Sequence, residues 1–336
     1  MADDMPDFNF TPWTEPTVAE AADAATPLGN AGPRRAIVYL HGIFSDHGNA
    51  FGTMHARLVA APELAGVSHY ICDYDYFDSL WTNGERLAKA LSETFHADDE
   101  VVLVTHSMGG LVARCAILAT RLECVRLLFL LGTPNGGAIR VSQVSLLAQL
   151  LHGTGPIAAA VFPRKAGIMQ LAHAADLFHQ YRALWGNAAH VDYVSIPGRY
   201  YHKDRSAWSR TDGITGVTLT LTSLLGEGRW LHLSRAHDGI VEEASNNLTA
   251  LDRMTEKWDS YACPRDAGTH TYAHIRIPEC DEVSHHRVQH NPAIIDLVRT
   301  IIAARLGLIS GKPLSLGCLA RDPFTLRTPV EIQLTR

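Results

Sequence analysis

Short, uninterrupted apolar runs alternate with amphipathic stretches through the first part of this chain. Each apolar run ends in polar or glycine residues, as expected for a strand that is buried on both faces of a sheet. Four such runs predict strands at residues 35–42, 69–77, 100–107 and 124–134. An amphipathic stretch at 82–95 predicts a helix after the second strand, and residues 108–121 predict the next helix, after the third strand. We therefore predict an α/β fold with a mostly parallel central sheet and helices on both faces.

The alternation of strands and helices is interrupted in the second half of the chain. Residues 142–153 and 171–186 predict two helices with no strand between them. They lie in an insertion at about 138–190 that would suit a helical lid or cap over a binding site, or would pack in the core instead. The later predicted elements are strands at 191–201 and 270–278, a closing helix at 291–307 and a short edge strand within 323–334.

The predicted elements divide the chain into one domain and two terminal segments. Residues 34–310 are expected to form the α/β domain, because 336 residues with 46% hydrophobic content can bury one large core. Residues 1–33 carry five prolines and no sustained apolar period, which predicts a flexible segment whose aromatic residues lie against the domain. Residues 311–336 are expected to form a C-terminal extension.

Composition argues against several classes of function. A net charge of −6 and the lack of a run rich in Lys and Arg argue against a nucleic-acid partner. No apolar run reaches the roughly 18 residues of a membrane-spanning helix. The acidic N-terminus has neither the basic start nor the apolar core of a secretory signal. We therefore expect a cytoplasmic location, with signal-independent export left open, no obligate protein partner and at most a transient contact with a membrane surface.

The spacing of cysteines and histidines indicates neither a metal site nor a cofactor. Six cysteines are scattered without a C-x-x-C pair, which predicts reduced and mostly buried thiols; a pairing of Cys263 with Cys280 stays open. Eighteen histidines include no H-E-x-x-H sequence and no Cys/His cluster with ligand spacing. We therefore expect chemistry that relies on side chains and backbone alone.

Ser107 lies at the turn between a predicted buried strand and a predicted helix, within VTHSMGGLVAR. Ligands bind beyond the carboxyl ends of the strands in an open parallel sheet. A serine at this turn, followed by Gly109 and Gly110, fits a nucleophile beside the free N–H groups of a helix N-terminus. A plain tight turn is the alternative, and Thr105 replaces the first glycine of the pattern G-x-S-x-G. The position between strand and helix favours the nucleophile.

A second turn, His41-Gly42-Ile43-Phe44, follows the first predicted strand. Backbone N–H groups at this place would join those of the serine turn in holding an oxyanion. We predict that the N–H groups of Ile43 and Met108 form this oxyanion hole, with an ordinary strand-ending turn as the alternative.

The sequences YLHGIF, VTHSMGGLVAR and LGTPNGG together resemble the lipase and esterase branch of the α/β-hydrolase superfamily. That branch includes the lipases that are similar to GPI inositol-deacylases. The resemblance spans roughly residues 35–305, and its most specific motifs lie in the first 150 residues. It implies an α/β-hydrolase fold, and it is weakest over residues 138–235, where caps and lids vary most among such enzymes.

The resemblance implies that an acid follows the nucleophile along the chain and precedes a histidine. Asp212 and Asp238 are candidates, because each begins an Asp-Gly-Ile sequence. The residues after Asp238 are similar to the D-G-x-V-x-x-x-S/A pattern around the acid of the family, and Asp238 stands one predicted strand before the last. We predict Asp238 as the acid and keep Asp212, otherwise a turn residue, as the alternative.

Three histidines follow the last predicted strand: His285, His286 and His290. Similar enzymes often place the base seven residues before a proline that opens the final helix, which is the spacing from His285 to Pro292. We predict His285 as the base and keep His286 as the alternative. His290 fits the start of the closing helix, and His106 is expected to pack into the adjoining loops.

The combined prediction is a serine hydrolase of lipase or esterase type that cleaves carboxylic esters through an acyl-enzyme on Ser107. The expected substrate is a small-molecule or lipid ester with a hydrophobic group. Two alternatives stay open: an acyltransferase or thioesterase that uses the same residues, and a non-catalytic protein that uses the fold to bind a ligand.

Overall fold

The computed structural model of the chain describes the greater part of the predicted α/β domain. The described residues are 8–14, 32–43, 45–137, 166–198, 238, 241, 243–246, 272–275, 283–309, 314–315 and 331–332. The strands are β1 (Asn9–Pro12), β2 (Arg35–Leu40), β3 (Ser68–Asp73), β4 (Glu100–His106), β5 (Val125–Leu131), β6 (Asp192–Ile196), β7 (Tyr272–His274), β8 (Leu314–Ser315) and β9 (Glu331–Ile332). The helices are α1 (His47–Val59), α2 (Leu80–Thr94), α3 (Met108–Ala119), α4 (Ala166–Ala172), α5 (Ala174–Gln180), α6 (Glu243–Asn246) and α7 (Pro292–Arg305). Short 3-10 helices cover Pro62–Leu64, Arg182–Ala188 and Val288–His290.

Within the described residues, seven strands form one sheet in the order β1-β3-β2-β4-β5-β6-β7. Strands β2 to β7 run parallel to their neighbours, whereas β1 pairs antiparallel with β3 at one edge. The predicted α/β fold with a mostly parallel sheet is therefore confirmed. Because the parallel strands share one direction, their carboxyl ends meet at the same edge of the sheet.

Alternate residues of each central strand point to opposite faces of the sheet. In β2, Val38 and Leu40 pack with α2 and α3, whereas Ile37 and Tyr39 pack with α1 and α7. All four side chains are fully buried. The predicted helices on both faces are confirmed, and the apolar runs of the sequence are strands that bury both of their faces.

Capping side chains define where two of the predicted helices begin. The Ser79 hydroxyl accepts hydrogen bonds from backbone N–H groups in the first turn of α2, and the Asn291 side chain does the same for α7. Pro292 follows as the first residue of α7, where the N–H that proline lacks would have no partner in the helix.

Helix α1 and strand β1 are elements that the sequence pattern does not predict. Helix α1 connects β2 to β3 and packs on the sheet. Strand β1 lies inside the segment 1–33, where it extends the sheet by pairing with β3. A strand is present within the predicted range of the C-terminal tail, as β9, and it lies outside the central sheet. Strand β9 pairs antiparallel with β8, the strand that precedes it in the chain, and the two form a small sheet of their own.

The described part of the predicted insertion packs against the body of the domain. Residues 166–188 form α4, α5 and the following 3-10 helix, and their side chains Leu171, Leu177 and Phe178 are buried in the apolar core beside α3. The helix predicted at 142–153 lies outside the described residues, so the lid stays a prediction. None of the helices in the described residues is long and apolar enough to cross a membrane.

Candidate active site

Ser107 occupies a strained backbone conformation between β4 and α3. Its φ of 53° and ψ of −123° make it the non-glycine residue with a positive φ in the described part of the chain. Such a conformation costs energy and persists only where surrounding contacts hold it. Here the Ser107 N–H donates to the carbonyl oxygen of Leu131 at 2.9 Å, and its own carbonyl accepts from the N–H of Gly110 at 3.1 Å. The turn holds Ser107 at the carboxyl edge of the sheet.

The glycines after Ser107 let α3 begin against the ends of two strands. A Cβ built on Gly109 would lie 2.5 Å from the backbone carbonyl oxygens of Leu40 and His41, which is closer than real contacts allow. A Cβ on Gly110 would collide with the side chain of Thr133. The Gly109-Gly110 pair is therefore a packing requirement of the serine turn.

His285 links Ser107 to a buried carboxylate. Its Nε2 lies 2.9 Å from the Oγ of Ser107, and its Nδ1 lies 2.7 Å from Oδ2 of Asp238. A carboxylate accepts hydrogen bonds, so Nδ1 carries the proton and the lone pair of Nε2 faces the hydroxyl. All three residues are at most 4% exposed. The structure thus brings together the three residues that the sequence selects as nucleophile, acid and base.

Asp238 is oriented by bonds that leave one of its oxygens for His285. Its Oδ1 accepts a hydrogen bond from the N–H of Val241 at 2.7 Å, and its backbone N–H donates to the Val241 carbonyl at 3.1 Å. The backbone N–H of His285 donates to the Asp238 carbonyl at 2.9 Å. Side chain and main chain therefore both tie Asp238 to the turn that carries His285.

Two glycines leave room for this pair of residues. A Cβ on Gly132, whose φ is +58°, would lie 3.2 Å from Nδ1 of His285. A Cβ on Gly198 would lie 2.6 Å from the Cβ of Asp238 and 2.9 Å from the carbonyl oxygen of Val283. The loops after β5 and β6 thus approach the His285–Asp238 pair so closely that a side chain at Gly198 would collide with it and one at Gly132 would crowd it.

Of the predicted oxyanion-hole residues, Met108 follows Ser107 directly, and Ile43 follows Gly42, which packs against Ser107. Met108 is the first residue of α3, where a backbone N–H has no partner within the helix. Gly42 packs against the serine, since a Cβ on it would lie 2.9 Å from the Cβ of Ser107. Nδ1 of His41 donates to the Gly42 carbonyl at 2.8 Å. In a trans peptide the N–H points opposite to the carbonyl, so the Ile43 N–H faces away from the His41 ring.

His41 is itself held in place by its neighbours at the end of β3. The hydroxyl of Tyr74 donates to the His41 carbonyl at 2.7 Å, and the two rings stack with centroids 4.6 Å apart. Oδ1 of Asp73 lies 3.5 Å from Nε2 of His41. Burial lowers the pKa of the His41 imidazole, which the nearby carboxylate of Asp73 opposes.

His106 packs into the adjoining loops, as expected for the residue before Ser107. It is 4% exposed, and its Nε2 donates to the backbone carbonyl oxygen of His285 at 2.9 Å. Burial lowers the pKa of His106 well below its ordinary value, and the nearby His285 adds to that effect. His106 therefore stays neutral and contacts the main chain of His285.

The other histidines near His285 in the sequence, His286 and His290, occupy different positions from His285. His286 is partly exposed, and its ring meets the His285 ring edge-on with centroids 5.5 Å apart. His290 ends the 3-10 helix that precedes α7. The hydrogen bond to Ser107 is made by His285. Asp212, the alternative acid, lies outside the described residues, and so do Cys263 and Cys280.

Sequence reasoning missed a group of buried polar residues behind the site. Its members come from α3, the loop after β5, strand β6 and helix α6: Arg114, Thr133, Asn135, Ser195, Ser245 and Asn246. Two signals point to it: Arg114 is the charged residue in the middle of the predicted, mostly apolar helix MGGLVARCAILATR, and Asn135 stands in LGTPNGG. A buried guanidinium requires polar partners, although the sequence does not say which residues provide them.

Comparison with solved structures identifies proteins of similar fold. Lipase BlEst2 of Bacillus licheniformis in its mature form is 19% identical, with a TM-score of 0.50, and the match covers 82% of this chain and 93% of that one. The propeptide form of the same lipase is 18% identical, with a TM-score of 0.50, and the match covers 83% of this chain and 51% of that one. At this identity the similarity shows the fold alone, which is that of the α/β-hydrolases.

Sequence comparison identifies one family. No curated protein matches the chain in sequence. The sequence model of the family described as "Domain of unknown function (DUF7379)" matches residues 3–177, slightly more than half of the 336 residues, and the chain belongs to that family.

Proposed function

We propose that this protein is a serine hydrolase that cleaves carboxylic esters through an acyl-enzyme on Ser107. The observation that carries the proposal is the hydrogen-bonded chain from Ser107 through His285 to Asp238, with distances of 2.9 Å and 2.7 Å. A serine hydroxyl is a weak nucleophile until a base accepts its proton, and the base needs a partner that orients it. This chain of residues supplies all three parts at one edge of the sheet.

In the first step, Oγ of Ser107 attacks the carbonyl carbon of the ester as its proton passes to Nε2 of His285. The Asp238 carboxylate keeps the proton on Nδ1 and stabilises the imidazolium that forms. The carbonyl oxygen becomes an oxyanion, which the N–H groups of Met108 and Ile43 stabilise. The site is buried, so these dipoles act with little screening by water.

In the second step, the tetrahedral intermediate collapses and the bond to the alcohol oxygen breaks. The leaving alkoxide takes the proton from Nε2 of His285, and the acyl group remains as an ester on Ser107. Water then attacks the acyl-enzyme while His285 accepts its proton. A second collapse returns that proton to Oγ of Ser107 and releases the carboxylic acid.

The position of Ser107 at the start of α3 supports the same reaction. A helix N-terminus has unpaired N–H groups and a partial positive charge, both of which favour an oxyanion. The strained φ of 53° at Ser107 is the feature that aims its side chain away from the strand and towards His285.

The proposed substrate is an ester with a hydrophobic acyl group or a lipid. In its support, both residues of the proposed oxyanion hole have apolar side chains: Met108 is fully buried and Ile43 packs against the core. The motifs that resemble lipases, including those similar to GPI inositol-deacylases, point to the same class of substrate. The solved structure with a comparable fold from Bacillus licheniformis is a lipase.

Hydrolysis of p-nitrophenyl esters of graded chain length by wild type and Ser107→Ala tests the proposal. We expect activity that increases with chain length and falls by about 10³-fold or more in the variant. Labelling with a fluorophosphonate, followed by peptide mass spectrometry, should find the adduct on Ser107. Ser68→Ala is the matched control, because Ser68 is exposed at the opposite, amino-terminal end of β3.

The outcomes separate the candidate activities. Activity unchanged in Ser107→Ala would contradict the proposal. A burst of p-nitrophenol, followed by turnover only when an alcohol or thiol acceptor is added, would assign acyl transfer in place of hydrolysis. A wild-type protein that neither hydrolyses any ester nor reacts with the fluorophosphonate would be a ligand-binding protein instead.

A further inference from the structure

A buried polar cluster joins the segment that follows Asp238 to the rest of the domain. We define the cluster by its buried members: Arg114, Thr133, Asn135, Ser195, Ser245 and Asn246. Asn246 is the last residue of α6, and both its side chain and its carbonyl make hydrogen bonds within the cluster. None of the six residues is one of the three proposed catalytic residues, Ser107, His285 and Asp238. The proposed mechanism therefore assigns them no role.

The side chain of Asn246 bonds to two neighbouring strands of the sheet. Its Oδ1 accepts from the hydroxyl of Ser195 in β6 at 2.8 Å. Its Nδ2 donates to the carbonyl oxygen of Thr133, just beyond β5, at 2.9 Å. Asn246 is fully buried, so these bonds form without competition from bulk water. One amide therefore anchors the end of α6 to the carboxyl ends of β5 and β6.

The same anchor extends to the helix that begins next to the nucleophile. Nδ2 of Asn135 donates to the carbonyl oxygen of Asn246 at 2.8 Å, and Oδ1 of Asn135 accepts from Nη1 of Arg114 at 3.0 Å. The Arg114 guanidinium lies 3.6 Å from the ring centroid of Phe178. Arg114 belongs to α3, so the cluster connects the helix behind Ser107 to the helix behind Asp238.

Ser245 adds a second pair of contacts between α6 and the loop after β5. Its hydroxyl donates to the carbonyl oxygen of Gly137 at 2.8 Å. The N–H of Gly136 donates to the Ser245 carbonyl at 3.0 Å. This loop begins with Gly132, where an added Cβ would lie 3.2 Å from Nδ1 of His285 and 3.5 Å from Oδ2 of Asp238, so the position of the loop matters to both ends of the His285–Asp238 bond.

We propose that Asn246 is a positioning residue for the Asp238 carboxylate, a role that rests on the proposed function. Asp238 and Asn246 lie eight residues apart, at the two ends of one segment. Hydrogen bonds join Asp238 to Val241 near the start of this segment, and the bonds of Asn246 hold its end. When the end is released, the segment gains freedom, and a hydrogen bond of 2.7 Å tolerates a displacement of only a few tenths of an ångström.

Asn246→Ala tests the proposal in the full-length protein. We expect kcat for a p-nitrophenyl ester to fall by about 10- to 100-fold with KM nearly unchanged, because misplacement of a catalytic group costs rate more than binding. The proton between Nδ1 of His285 and Asp238 should give a far-downfield signal in the proton NMR spectrum of wild type. In Asn246→Ala this signal should broaden or disappear.

Asn187→Ala is the matched control. The Asn187 amide donates to the carbonyl oxygen of Leu118 at 2.7 Å, near the end of α3 that is remote from Ser107. Removing this amide deletes the same kind of bond without touching the cluster, so kcat and the downfield signal should stay as in wild type. Ser195→Ala is a milder variant that removes one hydroxyl of the cluster, and it should weaken both readouts in the same direction.

The proposal is overturned if Asn246→Ala folds and keeps both the wild-type kcat and the downfield signal. If Asn246→Ala does not fold, Ser195→Ala decides, and wild-type values for both readouts contradict the proposal. Failure of the proposed function looks different: Ser107→Ala would keep its activity, while the downfield signal would still report whether Asn246 holds Asp238 against His285.

Discussion

The ring of His106 donates a hydrogen bond from Nε2 to the backbone carbonyl oxygen of His285, with 2.9 Å between the two atoms. His106 is the residue before Ser107, so the turns that carry the nucleophile and the base are joined twice. One connection is the hydrogen bond from Ser107 to Nε2 of His285. The other runs through His106 and depends only on the main chain of His285. The second connection does not change as protons move in the proposed reaction.

Replacement of His106 by phenylalanine should loosen the turn that carries His285. The variant loses a buried donor, so we expect the free energy of unfolding to fall by about 1–3 kcal/mol. We also expect kcat to fall by about 10-fold, because the base is less well placed. His106→Gln should recover part of both quantities, since its amide nitrogen can donate to the same carbonyl. Urea denaturation and ester hydrolysis measure the two effects, and wild-type values for His106→Phe would contradict this role.

Replacement of Asp238 by asparagine should block the base while leaving the fold intact. The N–H of Val241 already donates to Oδ1, so the amide nitrogen of Asn takes the position of Oδ2 and faces Nδ1 of His285. Nδ1 must then accept, which moves the imidazole proton to Nε2, where it prevents proton transfer from Ser107. We expect kcat to fall by about 10⁴-fold.

Thermal unfolding followed by circular dichroism provides the control for Asp238→Asn. The variant is nearly isosteric and keeps the bond from Val241, so we expect its melting temperature to stay close to that of wild type. A variant that folds normally and hydrolyses esters at the wild-type rate would remove Asp238 from the proposed mechanism.

Two glycine-to-alanine variants should have opposite effects on stability. At Gly109 an added Cβ would meet the carbonyl oxygens of Leu40 and His41 at 2.5 Å, so α3 must shift away from β2. At Gly52, inside α1, an added Cβ meets no atom within 4 Å. We expect Gly109→Ala to lose several kcal/mol of unfolding free energy and the proposed activity, and Gly52→Ala to gain about 0.5–1 kcal/mol. Equal stability of the two variants would contradict this explanation of the serine turn.

The sequence predicted the elements that have a clear apolar period. Strands β2 to β6 appear as apolar runs because both of their faces are covered. Helix α2 appears as an amphipathic stretch, and α3 and α7 appear as helical stretches rich in apolar residues. The motifs around Ser107, Asp238 and His285 are recognisable because each lies in a short turn whose local sequence is constrained. The structure brings these three side chains together, while their roles stay proposals.

The elements that the sequence did not predict depend on contacts with distant parts of the chain. Helix α1 contains Gly48, Asn49 and Gly52, all poor helix formers, and it forms because Phe51 and Leu58 bury against the sheet. Strand β1 is four residues long and exists through its pairing with β3. The buried polar cluster brings together residues more than 100 positions apart in the chain, such as Asn135 and Asn246, which no local period indicates.

The stability of the fold should depend on pH through His69 in β3. Nδ1 of His69 lies 2.9 Å from the hydroxyl oxygen of Tyr39, and burial raises the pKa of Tyr39 well above its ordinary value. Burial, with a smaller effect of His55, lowers the pKa of His69 to about 4.

In the unfolded chain His69 titrates near its ordinary pKa of about 6.5, so the unfolded state binds more protons between about pH 6.5 and about pH 4. Stability contributed by neutral His69 is then complete above this range and is lost as the pH falls through it. His69→Gln keeps an acceptor for Tyr39 but does not titrate. From about pH 7.5 to about pH 5, the unfolding free energy of wild type should fall by about 2 kcal/mol more than that of His69→Gln. Urea denaturation of both proteins at the two pH values measures these losses of unfolding free energy. The titration of all other groups contributes equally to both proteins and therefore cancels in the comparison. Equal losses in both proteins would show that His69 is charged in the folded state or exposed to water.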